Sequence, residues 1–220
     1  MKAVVLDFFA TNENKKERAI LNSFINGMDM EGVKIETVHI CEKQIDACQK
    51  CVKDLSYTPT ATCLLDDDMN KLYPKLDEAE FWVFAFPFFT SFNNTVLVNV
   101  LNRFEPLFLP NEGPTEKSGK MFIISTSASW DIGVFNPMVE QLKDFASLYN
   151  RTYAGAILRP DFTESSIKNN YNGFLNVINK AAKKAGEELI INGKVSEPIL
   201  ETISATFDYR KAIDLEKLKT

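Results

Sequence analysis

Four cysteines are grouped in one segment of this 220-residue chain: Cys41, Cys48, Cys51 and Cys63. Thiolates so placed suit an iron–sulfur cluster, a zinc site, or redox-sensitive thiols. A cluster needs four thiolates converging on one point. Cys48 and Cys51 form a Cys-x-x-Cys pair, but eleven residues separate Cys51 from Cys63, and Cys41 precedes the pair on a different element. The spacing therefore favours inert or redox-sensitive thiols over a cluster or zinc. A second unusual stretch is Pro87-Phe88-Phe89-Thr90-Ser91-Phe92-Asn93-Asn94. Aromatic faces mixed with small hydroxyl and amide groups suit a flat heteroaromatic ring, although the same phenylalanines would serve equally as core or as a partner contact. A third stretch, with Thr11, Asn12, Asn14, Lys15, Lys16 and Arg18 ahead of a helical pattern, offers donors and cations to a phosphate. A solvated helix start is its plainer reading. His39 is the only histidine, and at a strand end away from the ligand loops it argues against a histidine-dependent triad. Asp66-Asp67-Asp68 could hold a divalent ion, but capping a helix that begins at Met69 explains them sufficiently. Trp130 could cover a ring, pack in the core or meet a partner.

These residues are carried by alternating short apolar runs and amphipathic ones. Ala3–Leu6, Val33–His39, Phe81–Phe86, Met121–Ile124 and Tyr153–Leu158 read as five strands, the second an exposed edge and the third central. Between them Ile20, Leu21, Phe24, Ile25 and Met28 recur at helical spacing, as do Leu97, Val100, Leu101 and Phe104, and a further helix spans Pro137–Leu148. Ser165–Ala185 and Ser196–Ala205 are expected to be the last helices, and Pro106–Pro114 an irregular connection. Strands alternating with helices imply an α/β fold with a parallel sheet, because each parallel strand needs a crossover. Such sheets bind ligands at the carboxyl ends of their strands. The functional loops should be Phe9–Lys16, Pro87–Thr95 and Ser125–Phe135, where Ser125, Thr126 and Ser127 open the last.

Composition limits the partners. At 45% hydrophobic and 25% charged, the chain is a globular protein rather than a disordered one. A net charge of −5 argues against nucleic acid as the main partner. The longest apolar run, Phe81–Phe89, contains Pro87 and falls far short of the about 20 residues a bilayer span needs. The apolar run after Met1, Ala3–Leu6, meets Asp7 at once and is too short for a signal peptide, so the expectation is a cytoplasmic protein with no membrane contact.

In order, Cys48-x-x-Cys51, Cys63-Leu-Leu-Asp66-Asp67-Asp68-Met69, Phe86-Pro87-Phe88-Phe89 and a helix ending Asn102-Arg103 resemble the flavodoxin-like NAD(P)H-dependent FMN reductases, especially the iron–sulfur flavoprotein branch. The resemblance covers about residues 1–160. It implies a flavodoxin-like three-layer sandwich with a five-stranded parallel sheet in the order 2-1-3-4-5, one domain over 1–220 with a helical tail from about 186. It implies FMN with Thr11, Asn12 and Lys16 facing the phosphate. Pro87, Phe88, Phe89, Thr90, Ser91 and Phe92 would wrap the ring, and Ser125, Thr126 and Ser127 would complete its edge. The family's Gly-Ser-x-Arg is replaced by Phe8-Phe9-Ala10-Thr11, so the phosphate loop is expected to be weakened. The implied activity is electron transfer from NAD(P)H to a small-molecule or protein acceptor, in a homodimer. An FMN electron carrier and a flavin-free interaction module are the alternatives. A [4Fe–4S] cluster on Cys41, Cys48, Cys51 and Cys63 is not expected, because the cysteine that should follow Cys51 by three positions is Asp54.

Overall fold

The computed structural model describes residues 1–10, 15–48, 63, 65–88, 95–104, 107–109, 113–114, 118–160 and 168–206. In chain order the elements are β1 (Lys2–Asp7), α1 (Lys15–Met30), β2 (Lys34–His39), α2 (Tyr73–Glu78), β3 (Phe81–Pro87), α3 (Thr95–Asn102), β4 (Phe108–Leu109), β5 (Gly113–Pro114), β6 (Gly119–Thr126), α4 (Asn136–Leu148), β7 (Arg151–Arg159), α5 (Lys168–Asn192) and α6 (Glu197–Ser204). Five strands form one parallel sheet in the order β2-β1-β3-β6-β7, which is the flavodoxin-like order expected from the sequence. The connection read as irregular around Pro106–Pro114 contains a short antiparallel pair, β4 with β5.

Both faces of the central strands are apolar, and side-chain alternation divides them into two cores. Val4, Leu6, Trp82, Phe84, Phe86, Met121 and Ile123 join Leu76, Val100, Phe104 and Leu142 under α2, α3 and α4. Ala3, Val5, Phe81, Val83, Ala85, Phe122 and Ile124 join Phe24, Met28, Ala182, Leu189 and Ile203 under α1, α5 and α6. In the second core the Phe24 and Phe122 rings stack at 4.9 Å. Gly155, at φ +121°, sits where the β6–β7 register slips between Met121 and Ile123, and its bare Cα faces the Phe122 ring.

Three of the boundaries that differ from the sequence reading bear on packing and the site. β6 runs on through Ser125 and Thr126, which are buried strand residues rather than part of a polar turn. The helix expected from Met69 splits into a 3-10 turn, Asp68–Lys71, and α2, whose first turn takes Pro74. The long helix does not stop at Ala185 but continues to Asn192, ending at Gly193 with φ +70°. Gly186 lies inside it because α1 crosses there: a Cβ at Gly186 would come within 2.1 Å of the Phe24 carbonyl oxygen, and one at Gly27 within 1.9 Å of the Lys183 carbonyl oxygen. The two helices meet backbone to backbone at a pair of glycines.

A buried ion pair fastens the remaining pieces. Arg103, just past α3, donates from Nη1 to Asp67 Oδ2 at 2.7 Å and from Nη2 to Asp67 Oδ1 at 2.9 Å, and neither side chain is more than 1% exposed. Arg103 Nη1 also donates to the Asp46 carbonyl, while Asp67 accepts from the Asp46 and Met69 backbone N–H groups. Asp67 is thus the acid that caps the 3-10 turn. Tyr73 donates its hydroxyl hydrogen to the Arg103 carbonyl at 2.7 Å. Burial pushes the Asp67 carboxyl up, but the Arg103 hydrogen bonds and the two backbone N–H groups more than offset this and hold it below the usual carboxylate range.

Three substitutions test these contacts. Gly186→Ala should destabilise the protein by about 1–3 kcal/mol in urea unfolding, because α1 must move off the new methyl. Gly173→Ala, with nothing within 4 Å of its Cβ position, should instead stabilise by about 0.5–1 kcal/mol through helix propensity alone. Asp67→Asn leaves a buried guanidinium uncompensated and should cost about 3–5 kcal/mol at neutral pH. Because the native carboxyl titrates lower than the unfolded one, this contribution is complete above the ordinary carboxylate range. It disappears as pH falls through the native value, so wild type and Asp67→Asn should converge in stability under acid.

Candidate functional site at the carboxyl edge of the sheet

The three strands expected to carry ligand loops are neighbours, and their ends are level. Asp7 pairs with Ala85 across β1 and β3, and Pro87 with Thr126 across β3 and β6. The first residues beyond the strands continue the ladder. Phe8 N–H donates to Ala85 O at 2.8 Å, Phe88 N–H to Thr126 O at 2.7 Å, and Ser127 N–H to Arg159 O at 2.9 Å. Four strand ends therefore share one rim. Arg159 fixes its outer corner by donating to the carbonyls of Ile203 and Ala205 at the end of α6. A hollow lined by Lys2, Lys34, Glu36, Pro74, Lys75 and Glu78 opens at the opposite, amino end of the sheet. Four of its five charges are paired, as Lys2–Glu78 and Lys75–Glu36, so the rim is the better candidate.

The β1 end carries chemistry that the sequence reading did not single out. Asp7 is 1% exposed. Its Oδ1 accepts the Phe9 N–H at 2.9 Å, and its Oδ2 lies 3.2 Å from Arg18 Nη1 and 2.9 Å from His39 Nδ1. Arg18 Nη2 donates to Phe9 O at 2.9 Å, while Arg18 Nε is buried with no hydrogen-bond partner among the described residues. His39 is thus not remote from the loops: β2 pairs in register with β1, which sets His39 opposite Asp7. The one available sequence signal was an aspartate closing an otherwise apolar central strand. Phe8 and Phe9, standing where the phosphate loop begins, are 3% and 0% exposed and enter opposite cores.

Of the residues expected to contact a ligand, Lys16, Pro87, Phe88, Ser125, Thr126 and Ser127 can be placed. Lys16 is in the first turn of α1. Pro87 is partly exposed at the end of β3. Phe88 is 8% exposed, with its ring 5.4 Å from that of Phe135, so its side chain belongs to the core beneath the rim. Ser125 donates its hydroxyl hydrogen to Phe86 O at 3.0 Å, tying β6 to β3. Thr126 and Ser127 are 4% and 6% exposed. Beyond them a chain of side-chain acceptors shapes the loop: Ser127 Oγ takes the Ser129 N–H, Ser129 Oγ the Asp131 N–H, and Asp131 Oδ1 the Gly133 N–H. Trp130 stands on this loop 61% exposed, which removes it from the core. Thr11, Asn12, Phe89, Thr90, Ser91, Phe92 and Cys51 lie outside the described residues.

The cysteines that can be placed are free thiols in different settings. Cys41 donates to Phe8 O at 3.3 Å, and burial, followed by the nearby Asp7 carboxylate, pushes its thiol up. Cys48 is half-buried, and Cys63 packs against the first core. Among the described residues no group of three or more His, Cys, Asp or Glu side chains could hold a metal ion. No described helix is long and apolar enough to cross a membrane.

The comparisons with known proteins agree with this architecture. No curated protein sequence matches the chain. Among solved structures, an NAD(P)H:quinone oxidoreductase from Methanothermobacter marburgensis superposes with a TM-score of 0.66 at 15% identity, covering 86% of this chain and 96% of that one. An FMN-dependent NADH-azoreductase from Bacillus anthracis, in complex with FMN, gives 0.61 at 12% identity, covering 86% and 99%. RosB with bound 8-demethyl-8-formylriboflavin-5′-phosphate gives 0.62 at 13% identity, covering 100% and 88%. At such identities the likeness establishes the fold. The family model described as NADPH-dependent FMN reductase matches residues 1–157, and on that match this chain belongs to the FMN reductase family.

Proposed function

We propose that the protein is an FMN-dependent NAD(P)H oxidoreductase that passes electrons to a small-molecule or protein acceptor. The observation carrying this reading is the shared rim of β1, β3 and β6 in a chain whose first 157 residues match the family. The rim residues fit a flavin mononucleotide at the end where its phosphate would lie. There Arg18 Nε is a buried donor without a partner among the described residues, beside the start of α1. In the proposed arrangement Thr11, Asn12 and Lys16 face the phosphate. Pro87, Phe89, Thr90, Ser91 and Phe92 form the ring side, with the Phe88 side chain in the core beneath the rim, and Ser125, Thr126 and Ser127 support its edge. When bound, FMN supplies acceptance of a hydride and onward release of electrons. The chain's own contribution is to orient the ring, through a β6 loop braced by Ser127, Ser129 and Asp131.

We further propose one domain over 1–220 and a cytoplasmic homodimer. The fold alone does not specify the acceptor, because the loops that would meet it vary independently of the sheet. Purified protein mixed with FMN and desalted should retain a shifted flavin absorption band. The loaded protein should then oxidise NADH or NADPH with 1,4-naphthoquinone as acceptor, and the flavin-free protein should not. Retained flavin without oxidation of either nicotinamide would make it an electron carrier. Failure to retain FMN would overturn the reading and leave an interaction module on a flavodoxin-like fold.

A further inference from the structure

We propose that Cys48 and Cys63 form a reversible redox pair, a dithiol that a low-molecular-weight disulfide converts to a cystine bridge beside the Asp67–Arg103 ion pair. The pair needs no bound flavin. Two chain segments meet at that ion pair in opposite senses. Gln44 O accepts the Asp68 N–H at 3.1 Å, and Asp68 Oδ2 accepts the Gln44 N–H at 3.0 Å. Two residues on, the Asp46 N–H donates to Asp67 Oδ2 and the Asp46 carbonyl accepts from Arg103 Nη1. Residue 44 thus stands by 68 and residue 46 by 67, so the numbering rises on one segment and falls on the other. Continued in that sense, Cys48 runs toward the residues that precede Asp66, where Cys63 stands. Cys63 is set from the other side. Like Ile45, it packs on the first core, and its thiol lies against the Tyr73 hydroxyl and within electrostatic reach of the Arg103 guanidinium. A disulfide requires Cα atoms about 4.4–6.8 Å apart, the separation of residues that face each other across neighbouring segments.

Both thiols are free and partly exposed, as a pair that meets a dissolved oxidant must be. Cys41 is set apart from them. It donates to Phe8 O at the end of β1, and burial together with the Asp7 carboxylate pushes its thiol up, which makes it the poorer attacking group. One thiolate of the pair attacks the small disulfide, forming a mixed disulfide and releasing one small thiol. The other attacks the protein sulfur of that mixed disulfide, forming the Cys48–Cys63 bond and releasing the second small thiol. Each protein thiol gives up its proton, each leaving thiolate takes one, and two electrons pass from protein to oxidant. The bond links the same segments that Asp67 and Arg103 hold, so ion pair and disulfide favour one another by the same factor. Arg103 directly follows α3, so oxidation also fixes the end of the helix that follows the β3 loop.

The test is equilibration of the full chain with glutathione and glutathione disulfide at a series of ratios, then alkylation of free thiols and tryptic mapping. Cleavage after Lys34, Lys43, Lys50, Lys53 and Lys71 places Cys41, Cys48, Cys51 and Cys63 in four separate peptides, so the pairing is read directly. Oxidised wild type should give peptide 44–50 linked to peptide 54–71, and dithiothreitol should separate them. The oxidised chain should also unfold at a higher urea concentration than the reduced one. Cys48→Ser and Cys63→Ser should each abolish that shift, and Cys41→Ser should keep it. Asp67→Asn should lower the disulfide-to-dithiol ratio several-fold at a given glutathione poise. Asp68→Asn, which loosens only the exposed bond to Gln44, should lower it less and serves where Asp67→Asn fails to fold. A Cys48–Cys51 link, glutathione adducts without a linked pair, or thiols that stay reduced throughout would overturn the inference. A ratio unchanged in both aspartate variants would overturn it as well.

Discussion

The Asp67–Arg103 pair is the contact on which the parts around the sheet converge. Its two hydrogen bonds are only part of its effect. The same carboxylate caps the 3-10 turn before α2 and takes the Asp46 N–H, and the same guanidinium holds the Asp46 carbonyl. Residues 44–46, 67–69 and the end of α3 therefore meet at one point. Gln44 and Asp68 reinforce that join through a second, exposed set of bonds. The cysteine segment leaves and returns at this join, and α3 is the helix that follows the β3 loop. A salt bridge buried to this degree is weak evidence for net stability, since its desolvation cost is large. Its value here is geometric: it fixes where three chain segments lie relative to one another.

The rim shows a different balance of forces. Its backbone is closed by a stepwise ladder from β1 through β3 and β6 to β7, so few of the first N–H groups are left for a ligand. Placing Asp7 at the end of a central strand forces a charge into the interior, and Arg18 and His39 come from two other elements to meet it. The first residues after β1 are thereby tied to a charge pair, Phe9 through both its N–H and its carbonyl.

The α1–α5 crossing illustrates how local and tertiary demands conflict. Glycine inside a helix is unfavourable by about 0.5–1 kcal/mol relative to alanine. Gly27 and Gly186 are nonetheless required, because the two backbones approach too closely for a Cβ. A helix boundary placed near Ala185 is the natural reading of the sequence, and it was wrong because the close approach is invisible until α1 is in place.

Periodicity was enough to read five strands, the intervening helices and a parallel α/β sheet, because apolar runs of strand length and stripes of helical spacing are local properties. The order of motifs around Cys48, Asp66–Met69, Phe86–Phe89 and Arg103 was enough for the family, which the match over residues 1–157 establishes. Local pattern could not show that Asp67 faces Arg103, since 36 residues separate them in sequence. Nor could it show that His39 lies against Asp7, because that pairing depends on the register of β2 on β1. Whether Phe88 points to a ligand or into the core was likewise left open by its type, and its contact with Phe135 from the β6 side decided it. Burial and charge pairing are properties of neighbours distant in sequence, so they are decided only when the sheet is assembled.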